Sequence, residues 1–123
     1  MRHNPVAVAK AMYEAYTAHD RTKAEALVAQ DFHFTSTFDN RIDRATYFDR
    51  CWPNNESIAD FNLLHIVGDD ERALVVYEAQ STGGKRFRNT EILTAREGKL
   101  VDVEVYFGWA IPHAASDGGF LGG

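Results

Sequence analysis

Residues 88–113 read RNTEILTAREGKLVDVEVYFGWAIPH, and this stretch decides the architecture. It divides at Glu97-Gly98 into two long antiparallel strands. In the second strand Val101, Val103, Val105 and Phe107 alternate with Asp102, Glu104 and Tyr106. A period of two sends the first set to a dry face and the second to water or to another subunit. In the first strand the same period groups Asn89, Glu91, Leu93 and Ala95, so Glu91 is expected to point with Leu93 into apolar surroundings. The plainer reading pairs Glu91 with Arg88 or another base across the sheet.

Working backwards, Thr82-Gly-Gly-Lys85 and Gly68-Asp-Asp-Glu71 are turns that bound two further strands, 60–67 and 72–81. The alternation of Phe61, Leu63, His65 and Val67 with Asn62, Leu64 and Ile66 leaves the inner face of the first undecided, and the facing of Tyr77 and Glu78 is equally open. The first half is helical. Asn4-Pro5 starts a helix to about Ala18, with Met12, Tyr13 and Tyr16 in its apolar stripe. Thr22 and Glu25 have capping-box spacing for a short second helix, after which the chain turns at Asp31. Phe32 to Ser36 alternates as a short strand with Phe32, Phe34 and Ser36 inward. Asp43 caps a third helix carrying Tyr47, Phe48, Cys51 and Trp52; Pro53 stops it and residues 53–57 form a loop.

Helices first and a meandering sheet second give an α+β fold, a curled, mainly antiparallel sheet with three helices laid over one face to enclose a cone-shaped pocket. Residues 1–113 make one domain and 114–123 a flexible glycine-rich tail. The chain has 123 residues, 45% of them hydrophobic and 25% charged, which suits a single ordinary globular core. A net charge of −5 with scattered bases argues against nucleic-acid binding. In the opening MRHNPVAVAKAMYEAY, broken by Lys10 and Glu14, neither a signal peptide nor a membrane span is expected, and one cysteine, Cys51, permits no internal disulfide; the cytoplasm is the expected compartment. Cys51 reads as an inert buried thiol. His3, His19, His33, His65 and His113 are too widely spaced for a metal pair, and no phosphate-loop or dinucleotide pattern occurs, so neither metal nor cofactor is expected.

The order of elements, with AEALVAQDFHFTS after the first helix and GKLVDVEVYFGWAIPHAA near the end, resembles the ketosteroid isomerase and SnoaL-like branch of the nuclear transport factor 2-like superfamily. The resemblance covers nearly the whole chain and implies a pocket scaffold that hosts isomerases, cyclases, hydrolases, dehydratases and non-catalytic binders. Residue by residue it departs from the isomerase. The isomerase's aspartate base falls on Ser36 and its helix-1 tyrosine on Met12, while the oxyanion-hole acid falls near Glu91. Steroid isomerisation is therefore not expected. Asp39 as base, with Tyr16 and a protonated Glu91 as donors to an oxyanion, replaces the lost set. The ligand, a small apolar carbonyl compound, is expected against Met12, Tyr13, Ser36, Phe48, Trp52, Val103, Val105, Phe107 and Trp109, with the guanidinium of Arg41 at the mouth. Asp39-Asn40 also reads as a plain turn, and Tyr13 and Tyr16 as plain core. The row Asp102, Glu104 and Tyr106 is the expected contact face of a homodimer. Two alternatives stand beside the enzyme, a non-catalytic carrier of a hydrophobic molecule and a dimerisation module.

Overall fold

The computed structural model describes residues 4–122; His3 lies outside them. α1 (Pro5–Thr17) begins where Asn4 accepts from the free N–H groups of Val6 and Ala7, and buries Val8, Ala9, Met12 and Tyr13. α2 (Arg21–Leu27) is capped by Asp20, which accepts from the Lys23 N–H, and not by Thr22. The first acceptor to reach the free amides lies two residues earlier than the capping-box spacing implied. β1 (Val28–Thr35) continues through Asp31 as strand, with an irregularity in its pairing to the last strand between Val28 and His33, where the sequence suggested a turn. β2 (Ile42–Asp43) leads into α3 (Arg44–Arg50), capped as expected by Asp43. Residues 52–57 form a tight 3-10 turn instead of a loop, because Pro53 fits the first turn of a helix while ending the one before it.

β3 (Ile58–Gly68), β4 (Arg72–Ser81), β5 (Arg86–Arg96) and β6 (Lys99–Ile111) meander antiparallel, and β1 joins the far side of β6 in parallel. The six strands lie in the order β2-β1-β6-β5-β4-β3, a mixed, open sheet. The three helices sit on one face of it. Between them is the core, with Phe32, Leu100, Val28 and Val75 its largest fully buried side chains.

Bulges curl this sheet. In β6, Thr94 pairs with Asp102 but Ala95 with Leu100, leaving Val101 as the extra residue. The extra residue resets the alternation, so Leu100 and Val103 are the buried pair and Val101, expected inward, is not. A second bulge places Gly108 between Phe107 and Trp109, which pair with Asn89 and Arg88. A Cβ at Gly108 would stand 2.1 Å from the Arg88 carbonyl oxygen, so glycine is obligatory there. Its N–H donates to Asn89 Oδ1 at 3.1 Å, which ties the bulge to the inner face of β5. A bulge in β3 at Leu64 settles the facing left open: Phe61, Leu63 and Ile66 pack on the core, and His65 and Val67 are exposed.

Candidate functional site

The concave face of the sheet and the helices enclose a cavity of about 640 Å³. Its wall is mostly aromatic and aliphatic, with Phe32, Phe34, Phe61, Phe87, Leu93 and Leu100 among the lining residues. The polar side chains in it are few and come from specific places. β5 contributes Asn89 and Glu91, β4 Tyr77, α1 Tyr13 and Tyr16, α3 Tyr47, the segment after β1 Ser36 and Asp39, and the chain from the end of α3 through the 3-10 turn Cys51, Asn54 and Ser57. Among the described residues no Lys, Arg or His lines the cavity.

Glu91 lies on the inner face of the sheet in line with Asn89 and Leu93. Tyr13 Oη donates to its Oε1 at 3.0 Å and Tyr77 Oη to its Oε2 at 2.9 Å. Tyr77 in turn accepts from Asn89 Nδ2 at 3.2 Å. No cation is paired with Glu91 among the described residues. Arg88 projects to the opposite face, where it meets Glu78 at 3.6 Å, as does Arg86. The plain reading of Glu91 as one half of an ion pair with Arg88 is thereby corrected, and so is the open question of Tyr77, inward, and Glu78, outward.

Without a counter-charge, burial dominates. Removal from water raises the Glu91 carboxyl from 4.5 to about 7, while the two tyrosine hydrogen bonds pull in the other direction. Tyr13, Tyr16, Tyr47 and Tyr77 are all held above the ordinary phenol value, first by burial and then by the negative charge of Glu91 or a neighbouring phenol. They are therefore hydrogen-bond donors throughout the physiological range.

The second carboxylate belongs to a tight turn at the cavity wall. The N–H of Ser36 donates to the Asp39 carbonyl at 2.8 Å, and Ser36 Oγ donates to Asp39 Oδ2 at 2.9 Å. Asp39 is thus both a turn residue and a lining residue. The thiol of Cys51 lies 3.9 Å from the same oxygen, and burial followed by Asp39 pushes it up to about 11, so it is protonated at neutral pH.

Of the residues expected to hold a ligand, Met12, Tyr13, Ser36, Val103, Val105, Phe107 and Trp109 line the cavity, as do the three expected proton-transfer residues Tyr16, Asp39 and Glu91. Three do not. Arg41 projects outward with its side chain 65% exposed, 4.0 Å from Asp102 and near His33. Its positive φ of 48° turns the chain away from the mouth. Phe48 and Trp52 are buried behind the wall, packed on each other with their centroids 5.9 Å apart. Arg21 and Arg44 each lie 5.2 Å from the Phe48 ring, and Trp52 meets Tyr16 edge-on. Helical spacing grouped Phe48 and Trp52 correctly as apolar but did not separate the cavity side of α3 from its packing side.

Several polar contributors escaped the sequence reading, Asn54 and Ser57 of the 3-10 turn among them. Tyr77 shares the buried face of β4 with Ala73, Val75 and Ala79, an alternation the sequence does contain. Tyr47 was grouped with the apolar residues of its helix, and nothing in the sequence sets its hydroxyl apart. Among the described residues no three His, Cys, Asp or Glu side chains converge as a metal site, and no helix is long and apolar enough to cross a membrane.

A family model described as the SnoaL-like domain matches residues 9–103. No curated protein matches the chain in sequence. Among solved structures, a protein from Kribbella flavida DSM 17836 is similar at 24% identity and a TM-score of 0.76, over 84% of this chain and 85% of that one. An NTF2-like protein of unknown function from Cytophaga hutchinsonii ATCC 33406 is similar at 13% identity and a TM-score of 0.71, over 88% and 93% of the two chains. An LEH-like epoxide hydrolase of M. tuberculosis is similar at 14% identity and a TM-score of 0.73, over 85% and 82%. At these identities the likeness is one of fold, the NTF2-like α+β cone.

Proposed function

The chain belongs to the SnoaL-like domain family, and from that premise we propose that it is a cofactor-free acid–base enzyme, of isomerase, cyclase or hydro-lyase type, acting on a small apolar carbonyl compound. The observation that carries this reading is Glu91, a carboxyl without a cationic partner, held by two phenols in an apolar cavity and titrating at about 7. An uncompensated buried carboxyl destabilises a fold, and a group poised near neutrality both gives and takes a proton readily. Asp39, at the cavity wall, removes a proton next to the substrate carbonyl. Protonated Glu91 and the hydroxyl of Tyr16 donate to the oxygen on which charge develops.

The proposed step balances without a further reagent: the α C–H bond breaks, its proton passes to Asp39, its electron pair forms the C=C bond, and the carbonyl π pair moves to oxygen, giving an enolate that accepts hydrogen bonds from Glu91 and Tyr16. Steroid isomerisation is outside this reading, because Ser36 and Met12 occupy the isomerase's base and tyrosine positions. The working unit is proposed to be a homodimer in the cytoplasm, joined through the convex face that carries Asp102, Glu104 and Tyr106.

Deuterium exchange at the α-carbons of β-tetralone, followed by NMR, tests the chemistry with a defined ketone. Wild-type protein is expected to accelerate exchange, and Glu91→Gln or Asp39→Asn to reduce the acceleration by about 100-fold or more. A ketone that binds without any acceleration favours the second reading, a carrier of hydrophobic small molecules. The apolar wall of the cavity is the observation behind that alternative.

A further inference from the structure

Most of the cavity's polar groups are already committed to one another. Tyr13 and Tyr77 spend their hydroxyl protons on Glu91, Asn89 bridges Tyr77 and the Gly108 N–H, and Ser36 bonds Asp39. Tyr47 is different. Its ring is fixed on three sides by Phe32, Phe34 and Phe48, at centroid distances of 5.2, 5.1 and 5.2 Å. The residue is only 7% exposed, yet it lines the cavity, and its hydroxyl has no hydrogen-bond partner among the described residues. Tyrosine hydroxyls inside a protein ordinarily find a partner; that of Tyr47 is not among the fully buried unpartnered polar atoms of the described residues, so it opens on the cavity, where a ligand can meet it.

Tyr47 lines the same cavity as Tyr16, Glu91 and Cys51. The hydroxyl of Tyr16 is likewise without a hydrogen-bond partner among the described residues, and its ring is set by edge contacts to Trp52 and Phe61. Two rigid, unspent phenol donors therefore face one cavity. Among the described residues that cavity is lined by two carboxyls and no base, so a carboxylate, phosphate or sulfate would find no cation there to pair it.

We propose that Tyr47 is a ligand-binding residue of this site, donating together with Tyr16 to the oxygen of an uncharged, ring-sized ketone, and that the site rejects acids of the same shape. The inference rests on the acid–base reading of the cavity and adds to it the residue and the charge class that select the substrate. Tyr47 fixes the oxygen end of the ligand, and the surrounding rings take its apolar body. Because a phenol that is already clamped loses little freedom on bonding, the selectivity for a ketone over its hydrocarbon resides largely in this donor pair.

The test uses β-tetralone, its hydrocarbon tetralin and the anion naphthoate as probes of the purified full chain. Binding is followed by calorimetry, and the carbonyl stretch of bound β-tetralone by infrared difference spectroscopy. Wild-type protein is expected to bind β-tetralone at least tenfold more tightly than either of the other two, with the carbonyl band displaced to lower frequency. Tyr47→Phe keeps the ring and is expected to lose about tenfold in β-tetralone affinity, to leave tetralin unchanged and to return the band part of the way. Difluorotyrosine at position 47 keeps the shape and strengthens the donor, so it is expected to displace the band further even if Tyr47→Phe folds poorly.

An unmoved band and unchanged affinity in both variants overturn the role of Tyr47; if α-exchange persists in them, the acid–base reading stands without it. Naphthoate binding as tightly as β-tetralone overturns the charge selection. Absence of both ketone binding and exchange in wild-type protein overturns the two readings together.

Discussion

A carboxyl that titrates near 7 instead of 4.5 changes stability with pH, and the sign follows from which state holds the proton. Between about pH 4.5 and 7 the folded protein keeps the Glu91 proton while the unfolded chain has lost it, so folding binds a proton there. The contribution of Glu91 to stability is complete below the unfolded value and is lost as pH rises through 7, to a total of about 3 kcal/mol. Glu91→Gln removes this dependence. Thermal melts of the two proteins across pH 5 to 8.5 are therefore expected to diverge with rising pH, the variant gaining relative to wild type until about pH 7 and holding its advantage above it. The hydrogen bonds from Tyr13 and Tyr77 favour the charged form, so Tyr77→Phe is expected to move the Glu91 titration midpoint above the wild-type value, as read by carbon-13 NMR of the side-chain carboxyl. At this scale the sequence was informative about Glu91, whose place in the period of β5 predicts its facing. It was silent on the company Glu91 keeps, because Tyr13 and Tyr77 reach it from a helix and a neighbouring strand that only the fold brings together.

Elements are where simple periodicity failed, and the failures share a cause. Val101 alternates correctly with its neighbours in the sequence, but a bulge is defined by the partner strand's register and not by the strand that contains it. The facing of His65 was undecidable for the same reason, since Leu64 is the surplus residue opposite Tyr77 and Val76. Helix boundaries were legible where a cap stands alone, as with Asn4 and Asp43, and misplaced where Asp20 and Thr22 compete for the same amides. Gly108 shows how much depends on one bulge. Its N–H holds Asn89, Asn89 holds Tyr77, and Tyr77 holds Glu91. Gly108→Ala drives a methyl group into the Arg88 carbonyl and is expected to cost about 3 kcal/mol or more in chemical denaturation. It is also expected to disturb Glu91 titration from one end of that chain, whereas Gly98→Ala, at a turn with open space around it, is expected to strain only its own backbone.

For the whole molecule, the sheet has a concave face committed to the cavity and a convex face that exposes Leu74 and Tyr106 to 44% and 52% among partly buried Val76, Ile92 and Glu104. An isologous dimer through that face predicts a sedimentation mass of twice 13.8 kDa, and Tyr106→Arg is expected to shift the population to monomer at micromolar concentration. The α+β order of elements and the cone-shaped enclosure were legible because helix caps, turn glycines and the alternating closing hairpin all point to one topology. The division of aromatic residues between wall and core was not, because Phe48 and Tyr47 are equally apolar in pattern and differ only in which side of α3 meets the cavity. The account as a whole rests on Glu91 acting as a proton-transfer group near neutrality. Its most direct test is the pH profile of β-tetralone α-exchange in wild-type protein and in Glu91→Gln. An inflection near pH 7 in the wild type that vanishes in the variant is the predicted result. A profile without that inflection, or one identical in the two proteins, would contradict it.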